Sequence, residues 1–329
     1  MAAVVTSTTV VHEDLSDELI QSDVRNTPFS SRMRKGAKLT NMEFSWPLEA
    51  MGPRQVTPPA ENADVTTYEG DTEARAYNRA QRFWRQPRVS VISDRINDTA
   101  GDFGKYAHQV RKRVEDQKRD IEFVLLSAQL SAADTGAVGT KTMGIGAAVN
   151  DGTIAWTDAL TTPPAGYRTP ASQIYTGLLS ALDEAAFVNI LKSRFDALGM
   201  TTELTLFAGS ALKAHISEFF GKYKPDKTNY TVVVRTQAEA IDSRKFAGYG
   251  VDMYEGDFGA FDIVVDPWMP DQLSGYGLNM ELIQMRPGYY CDVTKLPYMG
   301  GGESALVDSI LGYEYGDART HFKIAPSGP

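Results

Sequence analysis

The chain has 329 residues, of which 42% are hydrophobic and 23% charged, with a formal net charge of −9 and one cysteine. This is the composition of an ordinary globular protein with a sizeable core and room for about two domains. The acidic balance argues against a nucleic-acid binder that uses its whole surface, and a lone Cys291 excludes an internal disulfide. The first residues show no basic region followed by an apolar core, so no signal peptide is expected, and no apolar run approaches the length of a membrane span. The glycosylation sequons at Asn97 and Asn229 read as chance matches.

Residues 1–40 are polar and read as an extended arm or, equally, a disordered tail, with Leu15, Leu19 and Ile20 able to make a short amphipathic helix over 13–22. Met42, Phe44 and Trp46 alternate with Glu43 and Ser45, the period of a strand. A stretch with Pro53, Pro58 and Pro59 and no helical period follows, and segments of that kind are usually functional or disordered. Its charges are sorted: Glu61, Asp64, Glu69, Asp71 and Glu73 come first, then Arg75, Arg79, Arg82, Arg85 and Arg88, with Phe83 and Trp84 among the arginines. Val89–Ile92 reads as a buried strand end. Together these predict a two-stranded projection with an acidic tip and a basic, aromatic stem.

The spacing then predicts one long helix over 101–131. Phe103, Ala107, Val110, Val114, Ile121, Val124, Leu125 and Ala128 recur mostly at three- and four-residue steps, on one face. Arg111/Glu115, Lys112/Asp116, Glu115/Arg119 and Lys118/Glu122 are opposite charges four apart and are expected to support one another on the exposed side. A narrow apolar stripe opposite a salt-laced face is a strut, which suits a scaffold better than a catalyst. Short strands are predicted at 143–149 and 153–156, and a helix over 181–198 with Leu182, Ala186, Ile190, Leu191, Phe195 and Leu198 inward and Gly199 as its stop. A strand at 204–208 precedes a helix capped by Ser210, with Leu212, Ile216, Phe219 and Phe220 inward. Strands are predicted at 231–235, 251–254, 260–265, 278–285, 289–293, 305–313 and 318–324, the second and third as a hairpin, with turns at 300–302 and 315–317. The irregular order of helices and strands makes the fold class α+β.

A search for chemistry finds no catalytic, cofactor-binding or metal-binding set. His12, His108, His215 and His321 are not spaced with other ligands and read as surface or half-buried residues. Cys291, in a strand, reads as a buried structural thiol. The run Gly136–Thr142 lacks the GxxxxGK[ST] spacing and follows a helix, so it is no phosphate loop. The arginine stem has three readings. It is a subunit contact in which an acidic tip meets a neighbour's basic stem, a nucleic-acid stripe, or an ordinary solvated face. The first is preferred because the adjoining acids would repel phosphate. It makes Trp46, the five acids, the five arginines and Trp84 the candidate interface residues, and it predicts that Arg79 and Arg82 can both become Glu with the subunit still folded but unable to assemble.

Several short motifs resemble those of the major head protein family of tailed phages. They are Tyr77-Asn78-Arg-Ala-Gln81, Val89-Ser90-Val91, Gly101-Asp-Phe-Gly104, Gln109, Lys118-Arg-Asp-Ile-Glu122, Met143-Gly144-Ile145 and the run Asp257–Pro270, with a looser likeness at 308–316. The resemblance covers about 40–325 in order; arginines and Phe-Trp stand at 79–85 where the family has more neutral residues. It implies the Johnson fold shared with herpesvirus capsid floors: an arm (1–40), an extended β-hairpin loop (41–90), a peripheral domain with a spine helix (91–169), an axial domain (170–285) and a peripheral return (286–329). It further implies a non-enzymatic major capsid protein of the virion, assembled in the host cytoplasm, whose hexamers and pentamers close an icosahedral head around double-stranded DNA. Its implied partners are itself and, as further candidates, portal, scaffolding and decoration proteins, with DNA only nearby and no membrane. A large cleaved scaffolding segment is not expected ahead of the helix. An encapsulin-like compartment and an enzyme using a Gly-rich pocket stay as alternatives; neighbouring portal and terminase genes would separate the first from a phage head.

Overall fold

The structure, a computed structural model, describes residues 26–50, 72–90, 105–199, 203–221, 253–256, 258–298 and 300–328, together with Val56, Pro58, Ala60, Glu61 and Asp64. The helix expected at 13–22, His12, both sequons, the motif at 101–104 and the strand expected at 231–235 lie outside the described residues. In chain order, helix α1 (Pro28–Arg32) leads into strand β1 (Arg34–Lys35), β2 (Glu43–Ala50), β3 (Thr72–Arg79), β4 (Gln81–Arg85) and β5 (Arg88–Ser90). The long helix α2 (Lys105–Leu126) and the single-turn α3 (Ile145–Ala148) follow. Next come β6 (Ile174–Tyr175), α4 (Glu184–Leu198), β7 (Leu204–Ala208), α5 (Ser210–Gly221), β8 (Met253–Gly256) and β9 (Gly259–Val265). The series ends with β10 (Gly275–Leu278), β11 (Gln284–Lys295), β12 (Gly302–Glu314) and β13 (Phe322–Ile324).

The chain divides into two compact units, one including Phe83–Arg119 and Tyr289–Ser309, the other Thr27–Arg82, Asp120–Gly288 and Ile310–Pro329. In the smaller unit, β12 runs antiparallel to β5, with Gly302 opposite Ser90, and neighbours β11. Gln117 of α2, fully buried, donates from Nε2 to the Phe83 carbonyl at 2.7 Å and to that of Val307 at 3.3 Å. A buried amide with two carbonyl partners fixes the helix against two strands at once. Cys291, half-buried rather than buried as expected, sits at φ 50° and gives its backbone N–H to Ser309 Oγ at 2.7 Å; partial burial pushes its thiol up in pKa.

The larger unit is built on a six-stranded sheet of order β6-β13-β10-β7-β9-β8. Its β7 and β9 are parallel, Leu206 opposite Ile263, while β8 and β9 form the expected antiparallel hairpin. Helices α4 and α5 close its core with Phe187, Ile190, Leu191, Leu212 and Ile216 against Leu206, Phe261 and Phe322. Phe187 is the hub, with ring centroids 5.2 Å from Phe261 and 6.0 Å from both Tyr254 and Phe322. Helix α4 starts at Asp183, whose carboxylate accepts the Ala186 N–H at 2.8 Å, and stops at Gly199, whose φ of 66° is the left-handed cap foreseen from the sequence. Its inward stripe passes through Arg194, fully buried with Nε donating to the Thr320 carbonyl, so Phe195 and Leu198 are only half-buried.

Several sequence expectations are corrected. Helix α2 ends at Leu126 rather than 131, because the Ser127 hydroxyl and amide both turn back onto the Val124 carbonyl. Residues 143–149 form no strand: the amides of Gly144 and Gly146 go to the carbonyls of Gln129 and Ser127, those of Ala147 and Ala148 to Gly144 and that of Val149 to Ile145, so the segment winds into α3. Residues 153–156 are a turn set by Asp151, whose carboxylate accepts the Thr153 N–H. Ser210 lies inside α5, and Gln272 Oε1 takes both its N–H and its hydroxyl. The strand expected at 278–285 is interrupted by a turn at 279–283, and 318–320 is a short 3₁₀ turn. The pairing expected between Lys118 and Glu122 is replaced: Glu122 is fully buried and takes the amides of Phe29 and Ser30. Asp116 is held by Arg113 and Arg119, three residues away on either side.

His321 is also corrected, since it is fully buried. Its Nδ1 accepts the Asn279 N–H at 3.1 Å, which leaves Nε2 to donate to the Tyr315 carbonyl at 2.7 Å. Burial holds the ring neutral and pushes its pKa from 6.5 down to about 4. The unfolded chain takes up this proton as pH falls below about 6.5 and the folded chain does not, so stability drops across that window. The expected loss attributable to His321 by pH 4 is about 3 kcal/mol. Urea unfolding from pH 7 to 4.5 should show it as a wild-type slope that His321→Gln lacks.

Candidate assembly surface

Strands β2 and β3 form a separate antiparallel ribbon, in register from Glu43 opposite Arg79 to Ala50 opposite Thr72. Phe44, Trp46 and Leu48 alternate with exposed neighbours and are all buried, so one face of the ribbon base belongs to the subunit's own core. Trp46 stands edge-on to Tyr315 at 4.8 Å and donates from its indole N–H to the Gly316 carbonyl at 2.9 Å. Gly316 has φ 65°, a backbone that suits glycine and brings its carbonyl within reach of Trp46. Pro47 is tolerated because the ribbon has only two strands.

The acids and arginines divide by role. Glu61 and Asp64 are exposed, as is Glu73 on β3; Glu69 and Asp71 lie outside the described residues. Glu49 and Glu73 stand directly opposite each other across the ribbon, both exposed, an arrangement that is unfavourable in isolation. Arg75 on β3, Arg82 on β4 and Arg88 on β5 are exposed, Arg85 is half-buried, and Trp84 is 57% exposed. Arg79 departs from this set. It is 6% exposed, its Nε and Nη2 donate to Glu43 Oε1 at 3.0 and 2.9 Å, and its Nη1 is paired with Asp158. Arg79 therefore staples the ribbon root within its own subunit, and Trp46 packs there too. Both stand in the interface set read from the sequence; the partners that draw them inward, Glu43 and Asp158 for Arg79 and Tyr315 and Gly316 for Trp46, are set by the fold.

Behind the ribbon lies a polar lock that joins two motifs far apart in the sequence. Asn78, fully buried, accepts the N–H groups of Arg79 and Met143 on Oδ1 at 2.8 and 2.9 Å and donates from Nδ2 to the Tyr313 carbonyl at 2.9 Å. Gln81 Oε1 accepts from Gln129 Nε2 at 2.7 Å and from the Thr142 N–H at 3.1 Å. Gly144 then donates to the Gln129 carbonyl, and a Cβ on Gly144 would overlap the Ser127 carbonyl. The Asn78/Gln81 pair and the Met143-Gly144-Ile145 turn thus form one unit that fixes the ribbon root to the end of α2. The sequence signal was the motif itself; its partners were not readable. Among the described residues no group of His, Cys, Asp and Glu could hold a metal ion, and no helix is long and apolar enough to cross a membrane.

The fold recurs in phage heads. The chain is similar to a chain of the cyanophage A-1(L) capsid asymmetric unit, at 15% identity and TM-score 0.67 over 97% of this chain and 98% of that one. It is similar to the capsid of Myoviridae phage XM1, at 9% identity and TM-score 0.61 over 99% and 100% of the two chains, and to the native GTA particle capsid, at 12% and 0.61 over 99% and 98%. No curated protein sequence matches it significantly. The SU10 major capsid protein family matches residues 3–327. With its mixed helix-and-sheet architecture shared with phage capsid subunits and a family match over nearly its whole length, the chain belongs to the SU10 major capsid protein family.

Proposed function

We propose that this protein builds the shell of a tailed-phage head, its copies associating into hexamers and pentamers that close an icosahedral capsid around double-stranded DNA. The family match over residues 3–327 carries this reading. The work is structural: no catalytic step and no cofactor are assigned to it. Assembly takes place in the host cytoplasm, and portal, scaffolding and decoration proteins are the further partners. The arm is placed at 1–40, the extended loop at 41–90, the peripheral domain at 91–169 and 286–329, and the axial domain at 170–285. A net charge of −9 keeps the shell from binding the enclosed DNA tightly.

The ribbon is proposed as a subunit contact. Opposed like charges at Glu49 and Glu73, with Glu61 and Asp64 also exposed, favour a cationic partner, and exposed Arg82 and Arg88 of a second copy fit that need. Purified protein examined by negative-stain microscopy and light scattering over a range of salt is expected to show rings or closed particles. A strictly monomeric protein at every salt concentration would overturn the reading.

A further inference from the structure

Glu122 ends the Lys118–Glu122 motif, and Asp266 lies in the Asp257–Pro270 motif; neither is used by the assembly reading. The structure brings them together in the interior of the larger unit. Both are fully buried, and each carboxyl group acts directly on the other. Glu122 accepts the Phe29 N–H on Oε1 at 2.6 Å and the Ser30 N–H on Oε2 at 2.8 Å. Asp266 Oδ1 accepts the Trp268 N–H at 2.8 Å, while its backbone N–H goes to the Ala208 carbonyl. Asp266 Oδ2 is buried with no hydrogen-bond donor in line with it, and a proton held between the two carboxyls satisfies it. Phe29, fully buried and edge-on to Phe207 at 5.2 Å, seals the site.

We propose that Glu122 and Asp266 form a proton-operated latch, which holds the root of the N-terminal segment, α1 and β1, in place while the pair shares a proton and loosens it when that proton leaves. The groups acting on the pair are each other's carboxyl, from α2 and from the end of β9, the hydroxyl of Ser30 and the amides of Phe29 and Ser30 on α1, and the amide of Trp268; no Lys, Arg or His is among them. Burial, followed by the mutual interaction, raises Glu122 to about 8, and burial raises Asp266 as well. The direction follows: the latch is intact at acidic and neutral pH and is lost as pH rises through about 8. Two buried carboxylates then face each other, and the relief is to admit water. The element that yields is α1, five residues long, whereas α2 has 22 and β9 is paired on both edges.

The test is amide hydrogen exchange on the intact chain from pH 6.5 to 9.5, with rates divided by the intrinsic rate at each pH. Tryptic cleavage after the exposed Arg32 and Arg34 is followed from pH 7 to 9 alongside. In wild type, protection at Phe29 and Ser30 is expected to fall at least tenfold between pH 7 and 9, while the amides of β7 stay protected. Asp266→Asn supplies a permanent neutral donor to Glu122 and should abolish the step. Should that variant misfold, Glu122→Gln serves the same purpose, with lower protection throughout and no step. A wild type with no step, loss of β7 protection together with α1, or a step surviving in a folded variant would overturn the latch.

Discussion

Reversing Arg79 to Glu is expected to destabilise the subunit itself by about 3–5 kcal/mol, the usual cost of breaking a buried ion pair by removing one partner. Arg79 is 6% exposed and binds Glu43 and Asp158 together. The substitution would set a third, buried carboxylate against those of Glu43 and Asp158 with no cation to neutralise them. It would also release the first rung of the ribbon, since Glu43 and Arg79 are the paired residues at its root. By calorimetry the transition should fall by roughly 5 °C. Arg82→Glu is the contrast. Arg82 is exposed on β4, so its replacement should cost the fold far less, about 1 kcal/mol or less as for surface charge contacts generally, while reducing particle formation in negative stain. Equal, small effects on stability from both reversals would refute the division of the stem into an internal staple and an outward contact. The double reversal, suggested by sequence alone, would confound the two.

Local signals were well read where they depend on neighbours along the chain. The alternation of Phe44 and Trp46 with Glu43 and Ser45, the Gly199 stop and the β8–β9 hairpin all follow from side-chain period or turn chemistry, and each is present, though Met42, read as the first of the series, lies ahead of β2 and is half-buried. What was missed depends on partners far away. Residues 143–149 look like a strand by their apolar content, yet the carbonyls at the end of α2 claim their amides and wind them into a helical turn. His321 was read as a surface or half-buried residue because buried histidines carry no sequence mark; its partners, Asn279 and Tyr315, are set by the fold. Glu122 was more legible than the reading allowed. It lies three residues before Leu125 and four before Leu126, both buried, so the helical period already turned it inward. The apparent pairing with Lys118 hid that signal. The interface residues are the least legible of all, because exposure of Arg82 or Glu73 in one subunit does not name the surface that meets it.

Asn78→Ala should cost about 3 kcal/mol, because three buried backbone groups lose their partner at once. The Arg79 and Met143 amides would be left without an acceptor and the Tyr313 carbonyl without a donor. The site is enclosed, Asn78, Arg79 and Met143 being buried together with Tyr313, so water replaces these bonds only by opening the lock. Asn78→Asp separates the two halves of the amide's task. Its carboxylate still accepts from Arg79 and Met143, but it meets the Tyr313 carbonyl oxygen with no proton to offer, and burial raises its pKa. The protonated form restores the donor. The Asp variant should therefore be impaired at pH 7 and should recover part of its deficit relative to wild type at pH 5, while the Ala variant keeps its own deficit at both. Urea unfolding of the three proteins at the two pH values measures this. An Ala variant within about 0.5 kcal/mol of wild type, the range of an ordinary surface substitution, would show that the Asn78 motif holds nothing in place. The predicted order is instead that of a side chain chosen for having one acceptor and one donor, which no other residue of its size provides.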